Sequence, residues 1–151
     1  MTTDLFDLTG KIALITGGSR GLGREMALAF AERGADIIIA SRKMDACEEV
    51  AAEVRALGRR ALPHACHVGD WDALEGLAEA AYAAFGKVDI LVNNAGMSPL
   101  TPSSNATSQD LFDKVIDVNF KGPFRLSALV GPRMVEGEGG TILNISSVGA
   151  I

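Results

Sequence analysis

The residues best equipped for chemistry form the run Thr16-Gly17-Gly18-Ser19-Arg20-Gly21-Leu22-Gly23. Ahead of it, residues 12–15 have the length and composition of a buried strand. From Gly21 onward the pattern is helical: Leu22, Met26, Ala29 and Phe30 fall on one face, and Gly34 follows where a C-terminal cap would sit. A strand that passes through a glycine turn into the first turn of a helix leaves several backbone N–H groups aimed at one spot, where the helix dipole is positive. Such a spot suits a phosphate. Gly17 permits the sharp exit from the strand, Gly21 removes a Cβ that would block a pyrophosphate, and Gly23 lets helix and sheet approach closely. The spacing Thr-Gly-x-x-x-Gly-x-Gly differs from the general Gly-x-Gly-x-x-Gly fingerprint, and no Gly-Lys-Ser/Thr follows, so this is not a P-loop. On its own the run leaves two readings open, an ordinary glycine-rich turn and a nucleotide phosphate site.

A second cluster, His64, Cys66 and His67, has the residue types of a metal site. In a strand His64 and Cys66 point one way and His67 the other, so the three cannot converge on one ion without distortion; no metal is expected. Cys47 and Cys66 are the only cysteines and fall in a predicted helix and a predicted strand, so no disulfide framework is indicated. With a formal net charge of −5 and no runs of Lys or Arg, nucleic acid is excluded as a main partner. No stretch is long enough to span a bilayer, so no membrane partner is expected, and residues 1–10 carry no targeting signal. The expectation is a soluble cytoplasmic protein. Its 151 residues, 48 % of them hydrophobic, suffice for a single domain with a sizeable core.

The elements that must position the glycine turn alternate along the chain. Residues 36–40 hold Ile37-Ile38-Ile39, too short and too β-branched for a helix, and read as a second buried strand. A helix over 44–57 places Cys47, Val50, Ala51, Val54 and Leu57 on one face, and Gly58 ends it. Residues 61–68 form a weaker strand whose Pro63 suits an edge position. Asp70 caps the next helix, with Leu74, Leu77, Ala78, Ala81 and Phe85 inward. A fourth strand over 88–92 ends in Asn93-Asn94-Ala95-Gly96, and 97–106 is a polar surface loop. Thr107 with Asp110 resembles a capping box opening a long helix through Leu111, Phe112, Val115 and Ile116. Residues 137–140 break it before a fifth strand at 141–145. Strands alternating with helices predict right-handed βαβ crossovers and a parallel sheet covered on both faces.

Four markers stand in a set order: Thr16-Gly17-x-x-x-Gly21-x-Gly23, Asn93-Asn94-Ala95-Gly96, Asn119 within Asp117-Val118-Asn119-Phe120-Lys121-Gly122, and Asn144-Ile145-Ser146-Ser147. In their order and intervals they resemble the single-domain short-chain dehydrogenase/reductase family. The resemblance implies an α/β Rossmann-like doubly wound parallel sheet, of strand order 3-2-1-4-5 over these residues, with a nicotinamide dinucleotide across the carboxyl ends of the strands. It implies an enzyme that interconverts a carbonyl and an alcohol by hydride transfer on a small-molecule substrate. For the complete protein it implies a homo-oligomer. The family's Tyr-x-x-x-Lys is absent: the one tyrosine is Tyr82, and the residue four beyond it is Gly86. Residues 1–151 are therefore expected to be a dinucleotide-binding domain truncated before that motif, and inactive alone for want of a proton donor.

By the same resemblance Ser147, followed by Val148-Gly149, is the serine that hydrogen-bonds the substrate carbonyl. Asn119 is the helix asparagine whose main-chain carbonyl holds a water, and Pro123, lacking an N–H, cannot donate to that carbonyl. Asn94, Ala95 and Gly96 pack beside the adenosine half of the cofactor, and Ser19 and Leu22 join Gly17, Gly21 and Gly23 around it. At the end of the second strand a carboxylate would favour NAD and repel a 2′-phosphate; this chain has Ser41-Arg42, with Arg20 directed to the same region. NADP is expected over NAD. Where many members place Asp before Val to bind the adenine amino group, this chain has His67-Val68, and the adenine contact falls to the main chain of Val68. A catalytically silent nucleotide-binding or interaction module is the alternative. An epimerase-like extended relative is disfavoured, because its glycine spacing would be shorter.

Overall fold

Every residue of Ile12–Thr16 is buried, as a strand covered on both faces requires. In the computed structural model, which describes residues 4–147, this strand, β1, lies at the centre of a five-stranded parallel sheet of order β3-β2-β1-β4-β5. Around it run α1 (Gly21–Glu32), β2 (Asp36–Ser41), α2 (Met44–Ala56), β3 (Ala61–Ala65), α3 (Ala73–Phe85), β4 (Ile90–Asn93), α4 (Gln109–Ile116), α5 (Gly122–Glu136) and β5 (Thr141–Asn144). The order is the expected doubly wound one, with the chain turning from one side of β1 to the other between β3 and β4. Pro63 sits on β3 at the sheet edge, where its missing N–H costs no ladder bond.

Two apolar layers sandwich the sheet. Ala13, Ile15, Ile37 and Ile39 pack with Ala27 and Ala31 of α1 and Cys47, Val50 and Val54 of α2. On the other face Leu14, Ile38 and Leu91 meet Leu74, Leu77 and Ala81 of α3 and Leu126 and Val130 of α5. Alternate residues of each strand thus serve opposite faces.

Several expectations need correction. The buried face of α1 is Gly23, Ala27 and Ala31, one position on from the face centred on Leu22; Leu22 is 71 % exposed. Close approach to the sheet admits only small side chains, so the large ones are pushed to the flanks. Leu57 caps α2 and is exposed. The third strand ends at Ala65, because the backbone turns where Asp70 N–H donates to the His67 carbonyl at 2.9 Å. Strand β4 is shifted to Ile90–Asn93. The cap of α4 is Ser108, whose hydroxyl accepts from Leu111 N–H at 3.2 Å, because Thr107 ends the short 3-10 turn Ser104–Ala106. The N-cap of α3 is Asp72 and not Asp70, which lies two residues earlier and whose carboxylate accepts from the N–H groups of Asp72 and Ala73, both at 3.2 Å.

The predicted long helix is continuous but changes pitch. Between α4 and α5, Asp117–Lys121 is π-helical, with Gly122 N–H donating to the Asp117 carbonyl five residues back. Neither helix ends at Asn119. Pro123 stands in the first turn of α5, where the missing N–H is tolerated. Among the described residues no helix is long and apolar enough to cross a membrane.

At the opposite end of the sheet from the glycine turn, Asp89 fixes the start of β1. Its carboxylate accepts from Ile12 N–H at 2.8 Å and pairs with Lys87 at 3.0 Å, while the residue is 7 % exposed. Lys11 also approaches it at 4.0 Å, so removing it strands a buried N–H and frees two lysines. Asp89→Ala is expected to destabilise the fold by about 2 kcal/mol, read as a lowered urea midpoint with an unchanged slope.

Candidate functional site

Thr16 leaves the sheet where Asn94 leaves it one strand away, and the two residues tie the exits together. The Thr16 hydroxyl donates to the Val92 carbonyl at 3.3 Å and accepts from Asn94 N–H at 3.0 Å and Ala95 N–H at 3.1 Å. The Asn94 side-chain amide donates to the carbonyls of Thr16 and Gly17 at 3.0 and 3.3 Å. Gly17 has φ +64°, and a Cβ on it would stand 2.9 Å from that amide nitrogen. A Cβ on Gly23 would lie 2.2 Å from the Gly17 carbonyl oxygen. The glycines are thus required by packing of the turn against its own helix. Gly21, with φ +53°, faces open space within 4 Å. That open position is where a ligand can approach the first turn of α1.

The helix start is prepared for an anion. Arg20 is its N-cap with extended backbone and no side-chain cap bond, and the first turn holds no acidic residue. A groove of about 590 Å³ opens there, lined by Gly17, Ser19, Arg20, Gly21, Ser41, Arg42, His67, Val68, Asn94, Ala95 and Gly96, with Cys66, Met97 and Val118. Of the residues expected around a cofactor, only Leu22 and Gly23 fall outside this lining: Leu22 is exposed and Gly23 is packed behind the turn. Cys66, Met97 and Val118 join the lining beyond the expected set, each directly beside an expected residue: His67, Gly96 and Asn119. Two serines bridge the ends of β1 and β2, the Ser19 hydroxyl donating to that of Ser41 at 2.8 Å.

The groove shares Ala95, Gly96 and Met97 with a second, wider cavity of about 1030 Å³. This one is bounded by Asn119, Ser146 and Ser147, by Phe112, Phe120 and Phe124, and by Asn93, Ser127 and Asn144. Ser147, expected at the substrate carbonyl, and Asn119, expected to hold a water, therefore line one cavity. The Val148-Gly149 context of Ser147 lies outside the described residues. The Asn119 side chain clamps the wall between the cavities, its Nδ2 donating to the Met97 carbonyl at 2.7 Å and its Oδ1 accepting from Met97 N–H at 2.9 Å. Asn93 crosses the cavity floor, donating to Asn144 Oδ1 at 2.9 Å and Ser127 Oγ at 3.2 Å. These pairings join residues far apart in sequence and carry no local signal.

Neither cysteine is disposed to react. Burial pushes the Cys66 thiol up to about 11 and raises that of Cys47 as well. His64 is shifted down by burial, and among the described residues no group of three His, Cys, Asp or Glu could hold a metal ion.

Two outcomes follow from this geometry. Gly23→Ala should cost about 3 kcal/mol by collision with the Gly17 carbonyl, and Gly21→Ala about 1 kcal/mol from its backbone angle alone, both measured by urea denaturation. A raised thiol pKa leaves less thiolate at a given pH, so at pH 8 native Cys66 should alkylate with iodoacetamide about 100-fold more slowly than in urea, followed by mass spectrometry.

A profile described as short chain dehydrogenase matches residues 11–151. The chain is 45 % identical over 145 residues to a 2-dehydro-3-deoxy-D-gluconate 5-dehydrogenase of Pseudoalteromonas atlantica, covering 95 % of this chain and 56 % of that protein. It superposes with TM-score 0.94 and 37 % identity on a 7α-hydroxysteroid dehydrogenase complexed with NADH and 7-oxo glycochenodeoxycholic acid, covering 99 % of this chain and 58 % of that one. A metagenomic short-chain oxidoreductase in complex with NADP gives TM-score 0.90 at 35 % identity, over 93 % of this chain and 64 % of that one. The chain spans little more than half the length of the curated relatives it matches. Profile, sequence and fold agree that this chain belongs to the short-chain dehydrogenase family.

Proposed function

We propose that these residues form the dinucleotide-binding part of an NADP-dependent oxidoreductase that interconverts a carbonyl and an alcohol on a small molecule. The observation that carries this reading is the groove at the start of α1, which gathers Arg20 and Arg42 and, among the described residues, has no Asp or Glu in its lining. One structural neighbour is in complex with NADP and another with NADH, so the choice of cofactor rests on this chain's own side chains. Amides around Gly17 and Gly21 bind the pyrophosphate, with Gly23 and Leu22 shaping the helix start behind them. Ser19, Ser41 and the two guanidinium groups hold the 2′-phosphate. Asn94, Ala95 and Gly96 pack beside the adenosine half, and His67 with Val68 bounds the base.

When bound, the nicotinamide supplies or accepts the hydride. The Ser147 hydroxyl donates to the substrate carbonyl and fixes its orientation. The main-chain carbonyl of Asn119, to which Pro123 has no N–H to donate, accepts a water beside it. A proton must also be moved, and Tyr82 does not do it: it lies on α3 beneath Arg133, and burial raises its phenol above the ordinary value. We therefore propose that residues 1–151 alone bind NADP without turning over a carbonyl, that the complete protein is a cytoplasmic homo-oligomer, and that the Tyr-x-x-x-Lys pair belongs to residues not given in this sequence.

Calorimetric titration tests the cofactor assignment. NADP should bind more tightly than NAD, and Arg42→Asp should weaken NADP by about 10- to 100-fold, the loss of one charge-assisted contact, while improving NAD. Unchanged NADP affinity in that variant would count against the assignment.

A further inference from the structure

Resting on the dinucleotide reading above, we propose that His67 meets the purine as a hydrogen-bond donor, so that the groove takes a 6-oxopurine as readily as adenine. The order of the strands places the base. The pyrophosphate lies at the turn after β1 and the ribose at the end of β2, and the next strand outward is β3. Ser41 is paired with Ala65, and Cys66 N–H donates to the Ser41 carbonyl at 2.8 Å, which brings the exit of β3 directly beside the ribose end. His67 is the exposed side chain at that exit and lines the groove.

The chemistry of its ring is set by its own turn. Gly69 N–H donates to His67 Nδ1 at 3.0 Å. A ring nitrogen that accepts carries no proton, so the neutral imidazole holds its hydrogen on Nε2. The lack of a side chain at Gly69 is part of the device: a Cβ there would stand 2.9 Å from His67 Cε1 and 3.1 Å from Nδ1, displacing the ring. What the ring can offer a base is therefore a donor. Adenine N1 or N7, or the O6 or N7 of hypoxanthine, can accept it, whereas the 6-amino group of adenine, itself a donor, gains nothing from it.

Three candidate acceptors beside this turn are already packed or paired. The Val68 carbonyl is packed against Gly122, where a Cβ would stand 2.5 Å from the oxygen. The Asp70 carboxylate, in the same turn, accepts from the N–H groups of Asp72 and Ala73, and Asp117, packed beside Gly69, is engaged by Lys121 at 2.6 Å. A carboxylate at position 67 would require the 6-amino group; the histidine removes that requirement.

The test is equilibrium binding of NADP and of nicotinamide hypoxanthine dinucleotide phosphate to this chain and to His67→Asp. The two dissociation constants should agree within about threefold for the unaltered chain, and His67→Asp should prefer the adenine form by about tenfold or more. A tenfold preference for adenine in the unaltered chain, or an unchanged ratio in His67→Asp, overturns the inference and leaves the dinucleotide reading standing. If neither compound binds, the dinucleotide reading itself falls and takes this one with it. Nitrogen chemical shifts of His67, one of two histidines, read the tautomer without any ligand: the proton should be on Nε2, and a ring protonated on Nδ1 overturns the proposal.

Discussion

The bond between the exits of β1 and β4 is the constraint on which the rest depends. Thr16 Oγ1 uses its one proton on Val92 and its lone pairs on Asn94 and Ala95, while the Asn94 amide covers the carbonyls of Thr16 and Gly17. All these groups are partly or fully withdrawn from water, so each would be costly to leave unpaired. Together they lock the glycine turn against the neighbouring strand. The groove wall and the helix start inherit their position from that lock.

From this follows a division of labour across the sheet. The carboxyl ends of the strands carry open backbone, serines and arginines, with no Asp or Glu among the described residues that line the groove. The opposite end is closed with carboxylates, Asp89 on the start of β1 and Asp36 on Arg59 and on the Arg60 N–H. Anchoring and binding are thereby kept apart: the charges that hold the sheet are of the sign that would repel phosphate, and they sit at its far end.

The π-helical turn does comparable work on the substrate side. One extra residue per turn re-aims the side chains that follow, and Asn119 lies within it, reaching back to grip both peptide groups of Met97. Because Ala95, Gly96 and Met97 belong to both cavities, a single asparagine steadies the partition between the groove and the wider cavity. The broad apolar surfaces beyond it, Phe112, Phe120 and Phe124 with Ile142 and Leu143 of β5, remain exposed.

Periodicity and turn residues by themselves determined the alternation of strands and helices, the edge position of Pro63, and the glycine turn that heads α1. These are local properties: a buried strand must be apolar throughout, and a chain reversal needs residues that tolerate it. Strand order came from the resemblance of four motifs to a family pattern. Only the tertiary structure decided which face of α1 is buried, since the limit is the distance between Gly23 and the Gly17 carbonyl, and a hydrophobic pattern would have chosen Leu22. It also decided that Val118 and Met97 join the groove, that Asn119 clamps a loop 22 residues away, and that Gly69 fixes the tautomer of His67. Those are pairings across space or side-chain orientations, and a linear pattern of apolar and polar residues carries no record of them.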